Sequence, residues 1–205
     1  MSARRLHQEQ PASFAYSAES KARVDREIAK YPAGRQASAV IALLWIGQEQ
    51  EGWVTKPMTE AIASLLGMAY IRVLEVATFY TMFNLAPEGK YLVQVCTTTP
   101  CWLRGSDEVV EACRKFTGIK GWHETSADGL FTMTEVECVG ACVNAPVLQV
   151  NDDFYEDMDA ALTTELLEAL KRGEPPKPGS MTGRQTSAPE GGPNTLTTLQ
   201  FAPES

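Results

Sequence analysis

The sequence predicts an α+β protein: a small N-terminal helical bundle, a small α/β domain, and an extended or disordered C-terminal tail. Three observations predict it. Apolar residues recur at helical spacing through residues 20–85. The texture then changes at Pro87-Glu88-Gly89 to a run of strand formers, Tyr91-Leu92-Val93-Gln94-Val95. From Gly173 onward periodicity is lost, and the segment holds six of the 12 prolines and five of the 15 glycines. Such a stretch lacks the apolar surface to offset its ordering entropy. The expected organisation is a mobile arm at 1–19, a helical bundle at 20–88, an α/β domain at 89–172 and a tail at 173–205.

The elements follow in order. Ser20 to Lys30 is charged, with Val24 and Ile28 one turn apart, and Pro32 and Gly34 interrupt it. Gln36 to Glu49 carries a broad apolar face from Val40 to Trp45, closed by Gly52. Pro57 to Leu66 has Met58, Ala61, Ile62, Leu65 and Leu66 on one face, with Thr55 as N-cap and Gly67 as C′ residue. Tyr70 to Phe83 places Val73, Val76, Tyr80 and Phe83 on one side, completing four helices around one core. Beyond the strand at 91–95, Ser106 to Phe116 reads as a helix capped by Ser106 or Asp107. Phe131 to Val136 and Val147 to Val150 read as strands, and Asn151-Asp152-Asp153 turns the chain into a hairpin through Phe154-Tyr155. Asp159 to Leu170 is the last helix, burying Leu162, Leu166, Leu167 and Leu170. The order β-α-β-β-β-α makes a small α/β sandwich. Within the tail, Leu196, Leu199 and Phe201 are either anchors of a strap on a partner or incidental.

Composition narrows the function classes. Apolar residues at 44% and charged residues at 21% suffice for a core without disulfide staples. A net charge of −8 argues against nucleic acid and fits either plain solubility or a basic partner surface. No run of about 18 apolar residues exists, so no membrane span is expected. The N-terminus lacks an apolar signal region, and secretion is not expected. Arg4, Arg5 and the absence of acids before Glu9 fit a mitochondrial presequence weakly, but the stretch has no amphipathic face. Five cysteines without a signal peptide point to a reducing compartment, where thiols bind metals or do chemistry.

Four cysteines form two pairs, Cys96-Thr-Thr-Thr-Pro-Cys101 and Cys138-Val-Gly-Ala-Cys142. Each pair lies at the end of an expected strand, so two loops leaving one sheet edge would bring four thiolates around one centre. A 2Fe–2S cluster takes two cysteines on each iron, and this pairing suits it. Gly140 would let backbone N–H groups approach the sulfides, Thr97, Thr98 and Thr99 offer hydroxyls, and Pro100 stiffens the approach to Cys101. Three alternatives compete. Structural zinc prefers C-x2-C turns. A dithiol oxidoreductase wants C-x-x-C at a strand–helix junction. A Rieske centre needs two histidine ligands, and neither His7 nor His123 lies within a pair. Cys113, on the apolar face of a helix, reads as packing. Trp102 reads either as a shield over the site or as core packing, and His123 as a surface loop residue. Asp152, Asp153, Glu156, Asp157 and Asp159 lack the spacing and glycine of an EF-hand, and read as a solvated turn and helix start.

Three strings carry a resemblance: VATFYTMF from Val76, GKYLVQVCTTTPCWLRGSDEV from Gly89, and DGLFTMTEVECVGACVNAPVLQVNDDFYED from Asp128. Over residues 20–172 the chain resembles the 24 kDa-type subunits of respiratory NADH:quinone oxidoreductase (complex I), which are thioredoxin-like 2Fe–2S ferredoxins. The resemblance implies a thioredoxin-like domain at 89–172 holding one 2Fe–2S cluster on Cys96, Cys101, Cys138 and Cys142. It further implies that the chain is an electron-transfer subunit of a proton-translocating oxidoreductase and does no substrate chemistry by itself. Its expected partners are a flavoprotein subunit that binds NADH and FMN, and a larger iron–sulfur subunit of the peripheral arm. The expected place is the cytoplasmic side of a bacterial inner membrane, peripheral, with the mitochondrial matrix as alternative. No G-x-G-x-x-G occurs that would assign NADH to this chain. Two other functions stay open: the same module in an NAD-linked hydrogenase or formate dehydrogenase, and a structural zinc-binding subunit. The tail after Leu170 is where the chain departs from many family members.

Overall fold

A computed structural model describes residues 4–189, 191, 192, 194 and 195. The chain divides into two compact units, Met1–Glu88 and Gly89–Ser205.

The first unit contains α1 (Ala18–Ala29), a 3₁₀ turn (Gln36–Ala39), α2 (Val40–Glu51), α3 (Lys56–Leu66) and α4 (Tyr70–Phe79). Their apolar faces share one core, with Val24, Leu43, Leu44, Met58, Ile62, Val73 and Phe83 fully buried. Thr55 caps α3 as expected, its hydroxyl accepting from the Met58 N–H, and Gly67 ends that helix at φ 63°. Two expectations change. The arm before α1 is packed on the bundle rather than mobile: Leu6, Phe14 and Tyr16 lie against its core, and Tyr16 donates to the Leu43 carbonyl at 2.8 Å. The last helix stops at Phe79 instead of Phe83, because Tyr80 turns to extended backbone (φ −82°, ψ 120°). The carbonyls freed there are taken by Arg4, which donates to Thr78 O (3.2 Å), Tyr80 O (2.7 Å) and Phe83 O. A cation at a helix C-terminus is favoured both by hydrogen bonding and by the helix dipole.

The second unit is a six-stranded sheet in the order β2-β3-β1-β4-β5-β6. Its strands are β1 (Tyr91–Cys96), β2 (Glu124–Thr125), β3 (Phe131–Val136), β4 (Leu148–Val150), β5 (Asp153–Glu156) and β6 (Gly179–Ser180). Its helices are α5 (Thr99–Leu103), α6 (Ser106–Thr117) and α7 (Ala160–Arg172). β1 pairs in parallel with β3 from Tyr91↔Phe131 to Cys96↔Val136, and antiparallel with β4. Tyr91, Val93 and Val95 of β1 join Phe131, Met133 and Leu148 in a core covered by Val109, Val110 and Cys113 of α6 and Leu166, Leu167 and Leu170 of α7. Asp159 caps α7 by accepting from the Leu162 N–H at 2.8 Å. Gly105, at φ 96°, is the N-cap of α6 in place of Ser106 or Asp107.

The described part of the tail is extended, as expected, and Gly179 and Ser180 pair in parallel with Tyr155 and Glu156, so that two of its residues join this unit's own sheet. The edge of β5 offers unpaired backbone groups, and pairing them needs no apolar side chain. Leu196, Leu199 and Phe201 lie outside the described residues.

The first unit makes two measurable statements. Arg4→Ala leaves the α4 carbonyls without their cation and should cost roughly 1 kcal/mol, read by urea unfolding, with faster amide exchange at Tyr80 and Phe83. Burial pushes the Glu88 carboxyl up from 4.5 to about 7, with the Arg4 charge opposing. A raised carboxyl keeps in the folded state a proton that the unfolded chain has released. Its contribution is therefore complete below pH 4.5 and lost as pH rises through about 7. Glu88→Gln should remove that decline, measured as unfolding free energy across this window.

Candidate metal centre

Side chains alternate across a strand, and this alternation separates the site from the core. Val95 points into the helix-covered core, and Cys96, the next residue, belongs to a separate small cluster with Cys101, Ala145 and Val147. Because Cys96 is in register with Val136, the loops after β1 and β3 leave the sheet at the same end.

The first loop carries Cys101 in α5, a five-residue helix where the sequence predicts a loop. Pro100 stands in its first turn, where a missing N–H is tolerated. The second loop carries Cys138 two residues beyond β3 and Cys142 at the start of a 3₁₀ turn, Cys142–Asn144. Gly140 between them sits at φ 88°, and a Cβ there would meet no protein atom within 4 Å. The left-handed backbone angle favours glycine there.

The thiols are arranged as two pairs. Cys138 Sγ and Cys142 Sγ are 3.1 Å apart. Cys96 and Cys101 share the small buried cluster with Ala145 and Val147, and each acts on the other's thiol. Electrostatics tie the pairs together: the Cys142 charge acts on Cys101, and Thr98, whose hydroxyl lies 3.3 Å from Cys96 Sγ, also lowers the Cys138 thiol. Cys96 and Cys101 are buried, Cys142 is half-buried and Cys138 is exposed. Thr97 does not join its neighbour here; its hydroxyl donates to Glu135 Oε1 at 2.6 Å.

The local fields favour one thiolate in each pair. Burial alone would raise the Cys96 thiol, but bonds from Thr98, Cys101 and the Val139 N–H bring it below the ordinary value. Cys138 is lowered by the bond from Cys142 and by the Gly140 N–H. Burial raises Cys101, reinforced by its bond to Cys96, and donation to Cys138 raises Cys142.

This donor set fits a two-iron cluster. Four sulfurs without histidine or carboxylate are the ligands iron–sulfur chemistry uses, and two pairs supply two per iron. Among the described residues, no three His, Cys, Asp or Glu side chains are arranged to hold one metal ion. Cys113 lies in the main core on the inner face of α6, and burial pushes its thiol up to about 12.

The surroundings answer the remaining expectations. Trp102 is not core packing; it is 57% exposed, and its indole N–H donates to Asp107 Oδ2 at 3.2 Å. With Leu103 (71%) and Val143 (64%) it leaves an apolar rim beside the cysteine loops. His123 is exposed, as expected. The acidic cluster is not all solvated: Asp157 is buried, and its Oδ1 lies 2.8 Å from Arg184 Nη2. Sequence reasoning missed Asn144 and Arg184, which brace the second loop. An asparagine two positions past a ligand-type cysteine was the available signal.

Comparisons with known proteins identify the family. The family described as thioredoxin-like [2Fe-2S] ferredoxin matches residues 24–171. The chain is 48% identical over 209 residues to a subunit of NADH-quinone oxidoreductase from Rhizobium meliloti (strain 1021), covering 100% of this chain and 74% of that one. It is 50% identical over 157 residues to a subunit of NADH-quinone oxidoreductase from Rickettsia typhi (strain ATCC VR-144 / Wilmington), covering 76% and 92%. A crystal structure of an NAD+-reducing [NiFe]-hydrogenase superposes with a TM-score of 0.58 at 17% identity, over 66% of this chain. Only 23% of that hydrogenase chain is spanned, so the likeness concerns the fold.

The burial order makes a testable statement about the metal-free, reduced chain. Iodoacetamide should label Cys138 first and Cys142 next, with Cys96, Cys101 and Cys113 slow until the chain unfolds, as read by peptide mass spectrometry.

Proposed function

The chain belongs to the thioredoxin-like [2Fe-2S] ferredoxin family, and from that premise we propose that it is the electron-transfer subunit of an NADH–quinone oxidoreductase, with one 2Fe–2S cluster on Cys96, Cys101, Cys138 and Cys142. The observation that carries the reading is the delivery of two thiol pairs to one place by two loops leaving the same end of β1 and β3. When bound, the cluster supplies uptake and release of single electrons. The chain's own residues then have three tasks. Cys96 and Cys101 hold one side from within a buried apolar pocket, which keeps water from that side. The Gly140 and Val139 N–H groups and the Thr98 hydroxyl point at sulfur and offset its negative charge. Cys138 and Cys142 keep the other side open to the exterior.

As an electron-transfer subunit the chain works with others. Its expected partners are a flavoprotein subunit that binds NADH and FMN, and a larger iron–sulfur subunit. The apolar rim of Trp102, Leu103 and Val143 supports a partner seated beside the open side. We place the chain peripherally on the cytoplasmic side of a bacterial inner membrane; no described helix is long and apolar enough to cross a membrane. The helical bundle at 20–88 is a second surface for holding the partner.

The test is metal and sulfide analysis with electron paramagnetic resonance on the full chain. The reduced protein should show a rhombic signal and about two irons and two sulfides per chain. Cys138→Ser should lose most of the iron, while Cys113→Ala should keep it. Full iron in Cys138→Ser, or zinc in place of iron in the parent, would overturn the assignment.

A further inference from the structure

The tail that follows α7 does not merely lengthen the sheet. After Gly179 and Ser180 pair with β5, the chain runs on to the back of the second cysteine loop. There Arg184 Nη1 donates to the Val143 carbonyl at 3.2 Å. Asn144 Nδ2 donates to the Thr186 carbonyl at 2.7 Å and to Glu156 Oε2 at 2.6 Å. Val143 and Asn144 are the two residues after Cys142, in the same 3₁₀ turn. The turn thus has tail on one side and β5 on the other.

The clamp is a buried charge pair. Arg184 and Asp157 side chains are 10% and 6% exposed, with Nη2 2.8 Å from Oδ1. Ser180 Oγ donates to Asp157 Oδ2 at 2.6 Å, which ties the start of the tail to the same carboxylate. Asp157 stands at φ 55°, a left-handed angle unusual for a residue with a Cβ, and its N–H donates to the Asn144 carbonyl at 2.7 Å. The links in this set converge on one turn, and the net stability a buried pair of this kind adds is small.

We propose that residues 174–188 are a strap that positions Cys142, with Arg184 and Asn144 as positioning residues of the cluster loop. The inference rests on the reading that Cys142 is a cluster ligand. The second loop has the least support of its own. Cys138 is exposed and Cys142 half-buried, whereas Cys96 and Cys101 are held by a strand, a helix and an apolar pocket. Partners behind a metal ligand fix its orientation, and their loss commonly weakens binding tenfold or more. The strap would therefore govern how long the exposed side of the cluster survives and what its electronic environment is.

The experiment compares full-length wild type with Arg184→Met, Arg184→Lys and the charge-neutral double variant Asp157→Asn/Arg184→Met. In the cluster-loaded chain, Arg184→Met and the double variant should release iron to a chelator about tenfold faster and shift the reduced-state paramagnetic resonance lines. Arg184→Lys should recover part of both. In the metal-free chain, amide exchange should rise at Asn144 and Ala145 in the two Met variants and stay unchanged in β1 and α6. Unchanged iron release, unchanged resonance lines and unchanged exchange in the double variant would overturn the proposal. So would exchange that rises throughout the second unit, because that is lost stability and not lost positioning. A wild-type chain that binds no iron would sink the cluster reading alone; the metal-free exchange would still decide whether the strap holds the turn.

Discussion

The structure depends on one register. Tyr91 opposes Phe131 and Cys96 opposes Val136, so two strands of equal length end level. A one-residue slip would send the side chains of one strand to the other face. Val95 would then leave the core and Cys96 would enter it. The register is protected because the core face is occupied at every step, by Tyr91, Val93 and Val95 against Phe131 and Met133 under two helices. Core packing thereby fixes the site indirectly: hydrophobic burial on one face decides where the thiols on the other face emerge.

That dependence explains why the cysteine pairs differ in character. The first follows the central strand β1 directly and inherits its rigidity, with α5 folding Cys101 back onto the pocket. The second pair comes two residues after β3 and crosses Gly140, a position whose angle suits no other residue well. Its thiols meet at 3.1 Å, yet one is exposed. A site built this way has one face continuous with the fold and one face on the surface. This suits a carrier that must exchange electrons with something outside the chain and does not enclose a reactant.

The parts legible in the sequence are those set locally. Thr55 and Gly67 mark the ends of α3 because capping is a matter of four or five neighbouring residues. The strand at Tyr91 shows in its own alternation, and the cysteine spacing shows the pairing by itself. The parts that were not legible are set by distant partners. The end of α4 comes where Tyr80 turns extended and Arg4, some 75 positions away, takes the freed carbonyls, and periodicity through Phe83 carries no sign of either. The two-residue strands β2 and β6 have no side-chain pattern to reveal them, since only their backbone pairs. The tail reads as extended or disordered because its composition is poor in apolar groups, and what holds its described part is polar: a carboxylate, a guanidinium and a free strand edge.

The buried ion pair is the clearest case of this last kind. Placing Asp157 and Arg184 together costs desolvation of both, and an apolar pair of similar size would stabilise the unit as well or better. Arg184 Nε and Asn144 Oδ1 also lack hydrogen-bond partners among the described residues, and Asp157 Oδ1 meets Arg184 as a charge without an aligned hydrogen bond. Stability alone therefore does not account for the arrangement. What it does supply is direction: a guanidinium reaches the Val143 carbonyl while its charge is held by Asp157, and no aliphatic side chain could do both. The element of the site with the weakest local support is the one that receives a polar and geometrically specific brace. In a site whose exposed half must stay in position without being covered, that is where such a brace has the most effect.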